Sequence, residues 1–187
     1  MDEDLSIINA NTRNEKIKNF FINNKNKLIS VVVILVIVVI SVYSFDKYTI
    51  NKKKEISDAF NSITIEHSES IKDKTANSLM EIVNKKDPTY SPLSLYFIID
   101  NNLITDKGVV NSLFNTLIEE TSLENEIKNL VIYKKALYNS DSAQESDLLS
   151  MLNPLINSKS VWKSHALYLM AEYFYTKNQK QKAKEFF

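Results

Sequence analysis

The sequence predicts an all-α protein in which a single transmembrane helix is followed by a solenoid of helical hairpins. Three observations predict this fold class. Residues 28–45 form an uninterrupted apolar run without a charged side chain. The chain after this run has apolar residues at helical spacings, separated by short polar turns. The 187 residues include only one glycine, Gly108, and three prolines, and this scarcity disfavours a turn-rich β fold.

The apolar run at residues 28–45 is the predicted membrane anchor. As a helix it spans about 27 Å at about 1.5 Å per residue, close to the hydrocarbon core of about 30 Å. A buried strand is one alternative, but strands usually stop at about ten residues. A cleaved signal peptide is another, but the polar leader 1–27 is long and no small-x-small cleavage site follows the run. The run lacks ionisable groups and a GxxxG pattern, so we expect it to act as an anchor only.

The anchor divides the chain into segments of different character. These are a tail at 1–27, the transmembrane helix at 28–45, a linker with a first helical segment at 46–88, and a helical-hairpin repeat domain at 89–187. Five Lys/Arg residues lie shortly before the anchor and four lie shortly after it. Because the Lys/Arg bias sets the orientation of a membrane helix, this near tie leaves the orientation open.

The composition argues against several classes of function. Lys+Arg and Asp+Glu both number 23, so the basic excess typical of nucleic-acid-binding proteins is missing. Cysteine is absent, which excludes disulfides, cysteine nucleophiles and Cys-ligated zinc. We expect His67 to be solvated and His165 to lie on the surface or in a groove. Without a phosphate-binding or hydrolase motif, the sequence predicts no enzyme, cofactor, metal site or small-molecule substrate.

The soluble part is predicted to begin with a helical segment from residue 46 to about 86, with a candidate break at the polar residues 66–74. Five further helices follow. Ser91-Pro92 is a predicted N-cap followed by proline at the first helical position, and Thr121-x-x-Glu124 and Ser142-x-x-Glu145 are predicted capping boxes. Pro154 is expected to kink or end the helix that contains it.

An internal repeat is visible in the apolar residues of these helices. The pairs Tyr96/Phe97, Leu130/Val131 and Leu169/Met170 recur after 34 and then 39 residues. Within each unit the partner helix follows at an offset of 17 residues, as in Phe97–Phe114, Val131–Leu148 and Met170–Phe187. An ordinary helical bundle with coincidental spacing is the alternative. We favour a solenoid, because periods near 34 residues are typical of stacked helical hairpins.

The last predicted hairpin has a specific spacing of small and aromatic residues. It begins with a small residue, Ala171, and an aromatic residue, Phe174. A turn residue, Asn178, follows, and then an alanine, Ala183, and a final aromatic residue, Phe187. This hairpin resembles a tetratricopeptide repeat. The resemblance implies an α-solenoid of tetratricopeptide-like hairpins.

The earlier units depart from that motif. The small residue is replaced by Ile98 and Ile132, and the alanine by Val110 and Gln144. Tight helix packing is therefore expected less strongly in those units. We also expect the chain either to be truncated or to have a frayed end, because its last helix is short and ends at Phe187, where a solenoid needs a polar cap.

The layout of the whole chain resembles one family in particular. The matching pieces are the acidic start Met1-Asp2-Glu3-Asp4, the basic residues of 15–27, the anchor, Tyr90 at the first hairpin and Val161-Trp162 before the last. Together they are similar to the ancillary subunit of the SecYEG translocon, which has a tetratricopeptide-like domain. The resemblance implies a bacterial inner-membrane protein with a cytoplasmic tail and a periplasmic domain. It also implies a role beside the translocon, handing secreted proteins to periplasmic chaperones.

A protein-binding groove is the candidate site. In tetratricopeptide arrays the first helix of each hairpin lines a concave groove, and by resemblance that face includes Tyr133, His165, Tyr168, Glu172 and Tyr175. Tyrosines give large, rigid contacts at low entropic cost. The alternative, equally weighted, is that the tyrosines complete the core. Two other functions remain open: a scaffold for another envelope assembly, in cell division or outer-membrane biogenesis, and a membrane adaptor that faces the cytoplasm.

Overall fold

The computed structural model describes residues 2–186, and the side chains of residues 13–186. The described residues form helices and no strand, which confirms the predicted all-α class. The chain divides into two compact units, one that ends at Lys52 and one, Lys53–Phe187, that contains the packed helical domain.

The first unit contains α1, Asp2–Asn23, and the beginning of α2, Lys25–Ile65. α2 includes the whole predicted anchor and continues beyond it, because residues 46–65 contain neither proline nor glycine to end the helix. The side chains of residues 29–52 are all exposed, and the most apolar part of α2 is not buried within the protein. α2 is therefore long and apolar enough to cross a membrane, which is consistent with a single-pass anchor.

After α2 the second unit continues with a 3₁₀ turn, Glu69–Ile71. The helices described there are α3 (Lys72–Asn84), α4 (Tyr90–Asp100), α5 (Lys107–Asn115), α6 (Asn125–Asn139), α7 (Glu145–Ile156), α8 (Lys163–Thr176) and α9 (Lys180–Phe186). A π-helical turn, Thr116–Glu120, extends α5. The predicted break within 66–74 is confirmed by the gap between α2 and α3, and α7 ends two residues after Pro154, as expected.

A first buried core joins α3, α4, α5 and α6. Leu79 of α3, Leu95 and Ile98 of α4 and Phe114 of α5 are fully buried in it. Burying each such side chain stabilises the fold by about 1.5–3 kcal/mol relative to leaving it in water. Ile56, in the last turns of α2, is buried in the same core.

A second core joins α6, α7, α8 and α9. It includes Leu152 of α7, Met170 of α8 and Ala183 of α9. α6 contributes Val131 to the first core and Ala136 to the second. α6 thus lies between the two cores and connects the two halves of the domain.

The helices pair mainly with their neighbours in the chain. α6 packs on α7 and α8 packs on α9, as the predicted hairpins require, but α4 packs more extensively on α3 than on α5. The hydroxyl of Ser91 in α4 donates to the carbonyl of Ile82 in α3 at 2.8 Å. The buried face of α3, which includes Leu79 and Val83, is covered by the helix that follows it after a short turn. The first hairpin is therefore α3–α4, one helix earlier than the repeat spacing predicts.

The predicted N-cap at Ser91 is wrong. α4 begins at Tyr90, two residues before the predicted start at Pro92, and the Ser91 hydroxyl is used in the contact with α3. The carboxylate of Asp87 accepts instead from the backbone N–H groups of Thr89 at 2.9 Å and Tyr90 at 2.7 Å. Asp87 therefore pairs the first free donors of this helix.

The two predicted capping boxes are also wrong. α6 begins at Asn125 and α7 at Glu145, and neither start has a side-chain cap. The hydroxyl of Thr121 donates to the carbonyl of Thr116 at 3.1 Å. The hydroxyl of Ser142 donates to the carbonyl of Asn139 at 3.3 Å. Both residues follow a helix end, where free carbonyls are the nearest backbone groups, so they stabilise the preceding helix rather than the next one.

The motif residues of the last hairpin lie where α8 and α9 meet. Ala171, Phe174 and Ala183 are buried. Asn178, in the turn, has a φ of 60°, the left-handed conformation that asparagine tolerates at a helix end. Phe187 lies outside the described residues. The tetratricopeptide-like character of the whole domain stays a prediction.

Candidate protein-binding surface

The α8 stripe, as we name it here, consists of four of the five predicted groove residues: His165, Tyr168, Glu172 and Tyr175. They follow one another at intervals of three, four and three residues, which places them on one face of the helix. All four are exposed, with 52 % of Tyr168 and 61 % of Tyr175 accessible. The opposite face of α8 is buried in the second core.

Tyr133, the fifth predicted residue, is half-buried on α6 and packs against aromatic rings at the start of α8. Its ring stacks on Trp162 with centroids 5.7 Å apart and planes inclined by 22°. His165 meets the edge of the same tyrosine ring at 5.8 Å and lies 5.1 Å from the ring of Trp162. The three rings form an aromatic cluster that joins α6 to the α8 stripe.

Glu172 connects the remaining members of the surface. The hydroxyl of Tyr168 donates to the Glu172 carboxylate. The pKa of Tyr168 is raised mainly by this hydrogen bond, then by the negative charge of Glu172 and least by burial. Burial, and after it the charge of Glu172, raise the pKa of Tyr133. Tyr168, Glu172, Tyr175 and Thr176 line a surface depression of about 460 Å³. The structure therefore brings all five predicted residues into one continuous surface.

Burial answers the question that the sequence left open about the tyrosines. Tyr168 and Tyr175 do not complete the core, because more than half of each side chain is accessible. Tyr133 has a mixed position, since one side of its ring is covered by Trp162. Trp162 is not among the predicted groove residues. The three-residue interval from Trp162 to His165 continues the stripe, and that spacing could have placed the indole beside the surface.

A second depression, the α4–α6 groove, lies between those two helices. Its lining includes Leu93 and Tyr96 of α4 and Ile127 and Leu130 of α6, and its volume is about 520 Å³. The ammonium group of Lys134 lies 4.4 Å from the centre of the Tyr96 ring. Burial raises the pKa of Tyr96 to about 12. The Tyr96 hydroxyl is buried without a hydrogen-bond partner among the described residues.

The two histidines have different surroundings. His165 is exposed within the aromatic cluster, as predicted. His67 is half-buried rather than solvated, because its ring lies edge-on to Phe97 at 5.6 Å and its Nδ1 lies 3.3 Å from the hydroxyl of Thr75. Within the part of the chain that the structure describes, no group of three or more His, Asp or Glu side chains could hold a metal ion.

Comparisons of the chain with protein-family models, curated proteins and solved structures gave no match.

Proposed function

We propose that this protein is a membrane-anchored protein–protein interaction module that works beside the Sec translocon and hands secreted proteins to periplasmic chaperones. The exposed α8 stripe is the observation on which this proposal mainly depends. Exposed tyrosines that do not complete a core are typical of protein-binding surfaces, where aromatic residues provide much of the contact energy. The stripe is held by a helix whose other face is buried, so binding would need little ordering of the surface.

The membrane helix supports the anchored part of the proposal. α2 provides a segment of suitable length and apolarity, and the lipid bilayer is its partner. The translocon, the chaperones, the bacterial inner membrane and the orientation come from the layout that the chain shares with the ancillary translocon subunits. In this orientation the tail is cytoplasmic and the helical domain periplasmic.

The chemistry of the surface favours binding over catalysis. His165 packs against two aromatic rings, and Glu172 accepts a hydrogen bond from Tyr168. Neither arrangement pairs a nucleophile with a general base. We propose accordingly that the domain is not an enzyme and that it binds neither nucleic acid nor a small-molecule substrate.

Affinity purification from the native membrane in a mild detergent tests this function. We expect translocon subunits to be recovered with the wild-type protein and at least fivefold less with the double variant Tyr168→Ala/Tyr175→Ala. The matched control is Leu149→Ala, which removes an exposed apolar side chain on α7. Recovery of cell-division or outer-membrane assembly proteins in place of translocon subunits would contradict the proposal, as would equal recovery with all three proteins.

A further inference from the structure

We infer that Glu172 and its two flanking tyrosines form a subsite for an arginine side chain of the partner protein. This inference rests on the proposed binding function of the α8 stripe and specifies the chemistry that the stripe recognises. Tyr168 lies four residues before Glu172 and Tyr175 three residues after it. On a helix these intervals put the three side chains next to one another on one face, with about 5–6 Å between their Cβ atoms.

The carboxylate of Glu172 has capacity for another donor. A carboxylate offers about four lone-pair sites, and the hydrogen bond from Tyr168 uses one of them. No Lys, Arg or His side chain lies within ion-pair distance of Glu172 in the described part of the chain, where the carboxylates in ion pairs are those of Glu55, Glu120 and Glu145. Among the described residues, the negative charge in this depression therefore lacks an ion-pair partner.

The shape and the chemistry of the depression favour arginine over lysine. A planar guanidinium group can donate two parallel N–H···O bonds to a carboxylate and can stack on an aromatic face at the same time. A lysine ammonium group is a compact point charge and can satisfy only part of this arrangement. The exposed ring of Tyr175 provides a stacking face beside the carboxylate. The hydrogen bond from Tyr168 holds the carboxylate in place.

The proposed occupant is an arginine-containing segment of a different protein, with apolar neighbours that contact the ring of Tyr175. A guanidinium group is complementary in charge to Glu172, which makes no ion pair among the described residues. Arg13, the one arginine among residues 1–187, precedes the anchor and is cytoplasmic in the proposed orientation, whereas α8 is periplasmic.

Peptide binding to the full chain in lipid nanodiscs tests this subsite. The probe is a short, capped, dye-labelled peptide with one arginine between apolar residues, and the comparison peptide has citrulline in its place. Citrulline keeps the shape of arginine and removes the positive charge. We expect fluorescence anisotropy to show at least tenfold tighter binding of the arginine peptide. Trp162, the only tryptophan in the chain, lies in the aromatic cluster beside the stripe, and we expect its emission to change on binding.

Two matched variants locate the effect. Glu172→Gln is expected to bring the affinities of the two peptides within twofold of each other. Glu119→Gln changes an exposed glutamate outside the stripe and is expected to leave the tenfold preference intact. Equal binding of the two peptides by the wild-type protein would overturn the inference, as would equal effects of the two variants. The peptide assay contains no translocon, so the two proposals can fail separately. If the arginine preference is absent but translocon subunits still co-purify, the arginine subsite alone is refuted. If the arginine preference is present but translocon subunits do not co-purify, the translocon assignment alone is refuted.

Discussion

The indole ring of Trp162 stacks on the phenol ring of Tyr133, with centroids 5.7 Å apart and planes inclined by 22°. This contact joins α6 to the residue that directly precedes α8. The stack therefore holds the α8 stripe in position relative to the middle of the domain. We therefore expect the stability of the domain and its binding of a partner protein to depend on different residues of this surface.

We predict that Tyr133 and Trp162 are energetically coupled. A double-mutant cycle with Tyr133→Ala and Trp162→Ala is expected to give a coupling free energy of about 0.5–1.5 kcal/mol, the range typical of aromatic pairs. Urea unfolding followed by circular dichroism measures it. The control cycle pairs Tyr133→Ala with Tyr90→Ala, because Tyr90 packs against Phe60 instead, and its coupling is expected to be near zero. Equal coupling in the two cycles would contradict the stacking role.

Two tyrosines of α4 differ in hydrogen bonding, because the Tyr90 hydroxyl has a partner and the buried Tyr96 hydroxyl has none among the described residues. Tyr96→Phe is expected to stabilise the domain by about 1–3 kcal/mol, because it removes a buried hydroxyl that lacks a partner among the described residues. Tyr90→Phe is expected to destabilise it by about 0.5–1.5 kcal/mol, since the Tyr90 hydroxyl donates to the hydroxyl of Ser57 at 2.7 Å. Chemical denaturation of both variants measures the two effects. Destabilisation by Tyr96→Phe would show that its hydroxyl is satisfied.

The raised pKa of Tyr96 also predicts how the stability of the domain changes at alkaline pH. Its pKa is about 12 in the folded domain and about 10 when the chain is unfolded. Between these values the unfolded chain has released a proton that the folded chain still holds. The contribution of Tyr96 is therefore fully present below pH 10 and is lost as the pH rises towards 12. Denaturation at pH 9 and pH 11 is expected to show a smaller loss for Tyr96→Phe than for the wild type, and an equal loss would refute this assignment.

We predict that the close approach of α8 and α9 depends on a small residue. Ala183→Leu is expected to destabilise the domain by about 1–3 kcal/mol, because the larger side chain does not fit a buried position between packed helices. Gln181→Leu, on the exposed side of the same helix, is expected to change stability by less than about 0.5 kcal/mol. Thermal unfolding of the two variants gives the comparison. Similar stabilities would argue against tight packing of the last hairpin.

The resemblance to tetratricopeptide repeats predicted the residues of the α8 stripe, but it did not predict every contact that they make. The intervals between His165, Tyr168, Glu172 and Tyr175 are a property of one helix and can be counted in the sequence. The stacking of Tyr133 on Trp162 depends on how α6 packs beside α8, and a single sequence does not specify that arrangement. Trp162 is therefore missing from the predicted groove, although it lies at the edge of the surface.

The pairing of the helices and the residues at which they begin are also not specified by local sequence patterns. The offset from Phe97 to Phe114 suggested that α4 pairs with α5, but the buried face of α3 is covered by α4 instead. The hydroxyls of Thr121 and Ser142 could have served either the helix before them or the helix after them. Both donate to carbonyls that precede them in the chain, and the residue type alone does not specify that choice.

The orientation of the protein in the membrane is predicted to place residue 6 in the cytoplasm and residue 68 in the periplasm. The chain has no cysteine, so Ser6→Cys and Ser68→Cys each introduce a single thiol. A thiol reagent that cannot cross the inner membrane is expected to label Ser68→Cys in intact cells and to label Ser6→Cys only after the membrane is opened. The reverse pattern would remove the translocon assignment and favour an adaptor that faces the cytoplasm.

Site-specific photo-crosslinking from the α8 stripe identifies the protein that this surface contacts in the cell. A photoactivatable amino acid is placed at Tyr168 and, in a separate variant, at Leu149, an exposed control position on α7. Irradiation of intact cells, followed by mass spectrometry, identifies the protein that contacts each position. We predict a crosslink to a translocon subunit or a periplasmic chaperone from position 168 and none from position 149. Crosslinks from both positions alike, or none from position 168, would contradict the assignment of the stripe as the partner-binding surface.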